Sequence, residues 1–183
     1  MNDNRKTGQK NKTKMLALSS CFVALGVTLM YFGAVTNVLD LTMVAITSVA
    51  VYFAVIEMGG YYPYMIYAAT SVLALILLPD KFSAAAYLAF GGIYPILKEK
   101  FEKLKKPVCV FLKFLFFNVA AVIVVLVSIF ILHLNTDEGI PYYIGTVALA
   151  NVAFLLYDIA MTRMITLYLF KFRKTLKVDK FFR

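Results

Sequence analysis

The chain has 183 residues, 62% of them hydrophobic, with a mean hydropathy of +0.80 and a formal net charge of +9. A soluble domain averages about half apolar residues, so this composition excludes an ordinary water-soluble fold, and the length leaves no room for a second soluble module. The charge does not point to nucleic acid, because the cations gather in clusters that flank apolar runs, which is a membrane topology signal.

Residues 1–14 carry Arg5, Lys6, Lys10, Lys12 and Lys14 and are expected to form a disordered basic tail in the cytoplasm. The first apolar run is Met15–Gly33. A basic stretch followed by an apolar one imitates a signal peptide, but this run exceeds an h-region of about 7–15 residues. No convincing small-x-small cleavage site precedes Asp40, so the run is read as a retained first helix. Small residues recur four apart along it, at Ala17/Cys21 and at Ser20/Ala24/Thr28. Such a face lets another helix approach closely, within the chain or between chains.

The second run extends from about Val38 to Ile56, and the third ends at Leu78, with Glu57, Gly59, Gly60 and Pro63 between them. Without that break the stretch would hold about 40 apolar residues, twice what one crossing needs. Gly-Gly followed by Pro is the chemistry of a tight turn, so a helical hairpin is expected. Pro79-Asp80-Lys81 makes the next turn, and Asp80 is placed to cap the following helix through its carboxylate.

The fourth run, Phe82–Leu97, is short and carries Gly91, Gly92 and Pro95. It reads as spanning or re-entrant until charge is considered. The next segment, Lys98–Lys106, holds five lysines and two glutamates and would be external if the run turned back, against the positive-inside rule. The fifth run is Val108 to about Leu134. The loop Asn135–Gly139 carries Asp137 and Glu138, and the sixth run goes from about Ile140 to Phe170. Residues 171–183 form a second basic tail.

Sixteen of the nineteen basic residues fall in the two tails and the 98–106 segment. That asymmetry predicts an all-α, polytopic membrane protein with six transmembrane helices, residues 15–170 in the cell membrane and both termini cytoplasmic. The runs show no period-two alternation, which argues against a β-barrel. No internal repeat suggests an inverted-repeat transporter. Cys21 and Cys109 lie near basic clusters, toward the reducing side, and are expected as free thiols.

Charges inside a membrane are expensive, so each is a functional candidate. Asp158 lies about 12 residues before Lys171, hence roughly 20 Å deep and near the midplane. Asn118 lies at similar depth in the fifth helix, and an Asn118–Asp158 hydrogen bond is expected. Asn151 is seven residues before Asp158, on its face, and Arg163 is five after it, able to reach it only by bending. With Tyr157, Tyr87 and Asp80 these are the candidate ligand-binding residues. The competing reading is a polar clasp between the last two helices. Lys113 is expected to snorkel to the cytoplasm, and Glu57 to be a solvated helix end. Asp40, Asp80, Asp137 and Glu138, with Lys81 and the aromatics Tyr31, Phe32, Phe82, Tyr142 and Tyr143, suggest an acidic external mouth suited to a neutral or cationic solute.

His133 is the only histidine, and neither a metal site nor a cofactor is expected. No nucleophile motif and no P-loop appear, so an enzyme is not expected and the chain cannot power itself with ATP.

Six short helices with both ends inside, about 180 residues, no ATPase of its own and a small-residue face on the first helix together resemble the substrate-binding S components of energy-coupling-factor (ECF) vitamin transporters. In that family the S component captures a vitamin or metal from outside, and a coupling membrane subunit and an ATPase pair drive its release. The family's first helix carries Ala-x-x-x-Ala as the docking face. Here Ala17-x-x-x-Cys21 and Ser20-x-x-x-Ala24 stand in for it, a departure from the pattern. The stretches Leu78-Pro79-Asp80-Lys81 and Tyr94-Pro95-Ile96-Leu97-Lys98 also look like segments of uncharacterised Gram-positive membrane proteins. The resemblance implies a small-molecule-binding subunit embedded in the lipid bilayer, with no nucleic-acid partner. The alternative is a non-transport scaffold or regulatory membrane protein whose basic segments bind a partner or anionic lipid.

Overall fold

The computed structural model describes residues 3–36, 39–130 and 140–172. The described residues are helical, with no strand among them: α1 (Asp3–Thr36), α2 (Asp40–Glu57), α3 (Tyr62–Leu77), α4 (Lys81–Ala86), a π-helical segment (Tyr87–Gly91), α5 (Tyr94–Phe101), α6 (Lys106–Phe130) and α7 (Ile140–Leu167), which ends in a second π segment (Tyr168–Phe172). Four helical stretches are long and apolar enough to cross a membrane: Lys12–Thr36, Asp40–Glu57, Lys106–Ser128 and Gly145–Lys171. The third run forms a shorter apolar helix, and the fourth is the composite α4–π–α5. Apolar side chains stand exposed all along α6 and α7, including Phe111 and Leu149, far beyond what a water-facing surface carries.

The basic N-terminal segment departs from expectation. Helix α1 begins at Asp3, so the segment continues the first helix and is not a disordered tail. Lys, Arg and Gln are good helix formers, and extending an existing helix avoids the cost of nucleation.

The hairpin turn after α2 is as expected. Gly59 and Gly60 both adopt φ of +58°, which glycine takes without steric cost, and Pro63 follows in the first turn of α3. Helices α1, α2 and α3 pack together. Thr47 on α2 donates its hydroxyl proton to the Gly26 carbonyl on α1 at 3.2 Å. Met30, Ala34, Val44, Ala74, Leu78 and Tyr87 form one core cluster there, and Val51, Ala54, Ile66 and Ile96 form the next along the bundle. Phe22–Phe53 ring contact, the Tyr168–Glu57 hydrogen bond and the Lys100–Tyr64 contact bring the N-terminal part of α1, the C-terminal part of α5 and the end of α7 to one end of the bundle. The described stretches that lead into the three basic segments therefore lie at one end of the bundle. Glu57 accepts the Tyr168 hydroxyl at 3.2 Å, so it is tied to α7 and is not simply a solvated helix end.

Asp80 caps α4. Its carboxylate accepts the backbone N–H groups of Phe82 and Ser83 at 3.0 and 2.9 Å and the Ser83 hydroxyl at 2.5 Å. Lys81 turns the other way and donates to the Leu75 and Leu78 carbonyls that end α3. Partial burial works to raise the pKa of Asp80, but the Ser83 hydroxyl and the two N–H groups outweigh it and hold the pKa below the ordinary 3.8.

The fold generates two predictions. Asp80→Ala should cost about 1 kcal/mol, measured by denaturant unfolding in micelles. Because the folded-state pKa is depressed, this contribution is present in full well above pH 3.8 and fades as the pH falls below it; the variant and the parent should converge in acid. At Gly91 an added Cβ would lie 2.6 Å from Val44 Cγ1, whereas at Gly145 it would meet nothing within 4 Å. Gly91→Ala should therefore destabilise by roughly 1–3 kcal/mol through overpacking, and Gly145→Ala should be neutral or stabilising by up to about 1 kcal/mol.

Candidate functional site

Helix α5 and its C-cap carry Tyr94, Lys98 and Glu102 at four-residue spacing, one above another on one face. That face meets Asp158 on α7 and Lys113 on α6. Lys98, only 1% exposed, donates from Nζ to Asp158 Oδ1 at 2.6 Å, Thr162 Oγ1 at 2.7 Å and the Asp158 carbonyl at 3.1 Å. Its three protons are thereby matched. Lys113 Nζ lies 3.0 Å from Asp158 Oδ2 and 3.3 Å from Glu102 Oε1. The Tyr94 hydroxyl donates to Asp158 Oδ1 at 2.6 Å. Two ammonium groups and two carboxylates balance, and only Glu102 is well exposed, at 46% of its side chain. Burying such charges costs several kcal/mol each, and pairing of this quality offsets it.

Two expectations are corrected here. Asn118 does not bond Asp158; it exchanges amide hydrogen bonds with Asn151 at 3.0 and 3.3 Å. Depth counted from each helix's own end misses the stagger between α6 and α7. Lys113 does not snorkel to the end of the bundle but turns inward to Asp158. Arg163 is exposed and makes no ion pair with Asp158, since five residues turn it away from that face. Sequence reasoning also missed Lys98, which reads as the first residue of a solvated basic segment. The signal that exposes it is the Tyr94–Lys98–Glu102 stripe.

Beside the charged group lies an aromatic partition. Phe90 stacks on Tyr94 at 4.9 Å, Phe117 on Phe154 at 4.5 Å, and Tyr157 lies 5.7 Å from Phe90. Past it, toward the end opposite the basic segments, is a cavity of about 350 Å³ between α2, the α4–π stretch, α6 and α7. Leu41 and Phe82 line its outer part, and Phe90, Phe117, Phe154 and Tyr157 its inner wall. A second, smaller cavity of about 280 Å³ lies further along α2 and α7, bounded by Val49, Tyr52, Ile56 and Tyr168. Between the two, Ser48 and Tyr157 join at 2.5 Å.

Of the candidate ligand-binding residues, only Tyr157 lines the larger cavity. Asp158 sits behind the aromatic partition, Asn118 and Asn151 clasp α6 to α7, Tyr87 is buried in the α1–α3 core, and Asp80 caps α4. Of the outer acids and aromatics, Phe82 lines the cavity and Asp40 starts α2. His133, Asp137 and Glu138 lie outside the described residues, as do the side chains of Tyr142 and Tyr143. On α1 the internal face is Ser19, Gly26, Val27, Met30 and Ala34, whereas Ala17, Ser20, Cys21 and Ala24 are exposed. The small-residue face thus takes no part in packing within the described residues. Those residues contain no cluster of metal-ligating side chains.

The chain matches no family model, no curated protein and no solved structure.

Asp158→Asn should cost about 3–5 kcal/mol in micellar denaturant unfolding, because it leaves two buried ammonium groups short of a countercharge. Adding Lys98→Met should recover part of that loss in a double-mutant cycle. A loss below about 1 kcal/mol for Asp158→Asn would show that the group does not hold the three helices together.

Proposed function

We propose that the chain crosses the cell membrane six times with both ends in the cytoplasm, and that it is the solute-binding subunit of an ECF-type importer for a vitamin-like small molecule. The larger cavity is the observation that carries this reading. It lies between four helices at the end of the bundle away from the basic segments, which positive-inside placement makes the external end. Helix α3 is about 24 Å long and the α4–π–α5 stretch about 30 Å, lengths compatible with short or tilted crossings.

The chain has no nucleotide-binding motif, so uptake would need a separate ATPase pair and a coupling membrane subunit. The exposed face of Ala17, Ser20, Cys21 and Ala24 is the surface proposed to meet the coupling subunit, because small side chains let helix backbones approach closely. A specific observation favours a second reading, a non-transport scaffold: both carboxylate oxygens of Asp158 are already engaged by the chain's own side chains, as in a structural clasp.

The test is purification of the tagged protein from its native membranes in mild detergent, with co-purifying proteins identified by mass spectrometry. The expected result is two ATPases and a second membrane protein, with their recovery reduced at least several-fold by Ala24→Leu and the fold intact. Recovery of the chain alone, in the parent as in the variant, would favour the scaffold.

A further inference from the structure

The larger cavity has one polar side chain in its lining, Tyr157, and the hydrogen bonds around that residue fix what it can still do. Ser48 Oγ lies 2.6 Å from the Ala45 carbonyl and 2.5 Å from the Tyr157 hydroxyl. A serine has one proton to give, and a carbonyl can only accept. The Ser48 proton therefore goes to Ala45, and the Tyr157 proton goes to Ser48. Tyr157 Oη has spent its donor and keeps acceptor capacity.

The remaining wall is apolar. It consists of aliphatic side chains and glycine together with Phe82, Phe90, Phe117 and Phe154. The ionic group of Asp158, Lys98 and Lys113 is close in sequence to Tyr157 but lies behind the aromatic partition and is bonded within itself. No charge is available to the cavity from its lining, and a charged guest would lose hydration without a partner. A ring-bearing guest would gain edge and face contacts with the four phenylalanines.

We infer that this cavity binds an uncharged, ring-bearing molecule that donates one hydrogen bond to the Tyr157 oxygen. This rests on the solute-binding reading and names the ligand class; it narrows a neutral or cationic solute to a neutral donor.

The test uses three photoreactive probes of one shape on the full-length protein in detergent: para-hydroxymethylbenzophenone, its methyl ether and para-benzoylbenzoate. Cross-linked peptides are mapped by mass spectrometry. The alcohol should label the cavity-facing parts of α6 and α7, roughly fivefold more than the ether, the size of one neutral hydrogen bond. The carboxylate should not label them. Tyr157→Phe should bring the alcohol down to the level of the ether and leave the ether unchanged. Ala153→Phe, or Ala121→Phe if the first does not fold, should abolish cavity labelling by both neutral probes while labelling of lipid-facing sites persists.

Carboxylate labelling equal to that of the alcohol, an alcohol-to-ether ratio unmoved by Tyr157→Phe, or no cavity labelling by either neutral probe would each overturn the inference. Failure of the importer reading is separable from these outcomes. In that case the ATPases would be missing from the purification while the alcohol still labelled the cavity in a Tyr157-dependent way.

Discussion

One buried carboxylate organises the second half of the molecule. Asp158 on α7 is gripped by Lys98 and Tyr94 from α5 and by Lys113 from α6, and the rings of Tyr94, Phe116 and Phe154 pack across the same three helices beside it. In a bilayer, apolar contact alone discriminates poorly between one helix arrangement and another, because lipid is as apolar as leucine. A charge that must find its countercharge discriminates strongly. Any rotation or slide of α7 that separates Asp158 from the two ammonium groups leaves unpaired charge in a low-dielectric interior.

The rest of the site follows from that placement. With α5, α6 and α7 fixed, Phe90, Tyr94, Phe117, Phe154 and Tyr157 close over the ionic group and separate it from the cavity beyond. The polar and apolar parts of the interior therefore have different work. The ionic group sets helix positions, and the cavity is bounded by rings with Tyr157 as the one polar side chain in its lining. On the far side of the bundle α1 divides its surface in the same way. Its inner face packs against α2 and α3, and its small-residue face is left outward.

Much of the fold was legible because it depends on local rules. The apolar runs gave the helices, Gly59 and Gly60 the hairpin turn, and Asp80 the start of α4. The site was less legible because it depends on relations between helices. Asn118–Asn151 and Lys113–Asp158 obey one antiparallel register, in which five residues up α6 correspond to seven back along α7. The expected Asn118–Asp158 pair breaks that register by more than a turn, because counting inward from Lys106 and from Lys171 assumes that both helices end at the same level. Lys98 was hidden for a different reason. It opens a run of charges, and only its position four residues from Tyr94 and from Glu102 distinguishes it from its solvated neighbours.

The π-helical segment Tyr87–Gly91 joins α4 to α5 and carries Phe90 onto the inner wall of the cavity. A π turn holds one more residue in its hydrogen-bonded ring than an α turn. The wider turn takes up that extra residue while nearly keeping the phase of the helix beyond it. Losing one residue there would tighten the backbone to an ordinary helical turn and leave the Tyr94–Lys98–Glu102 stripe facing α6 and α7. Along this stretch the chain has slack in its length as well as in its letters. Over evolutionary time a single-codon deletion inside the segment can be absorbed, whereas the same deletion between Tyr94 and Lys98 would turn one of the two away from Asp158 by about 100°.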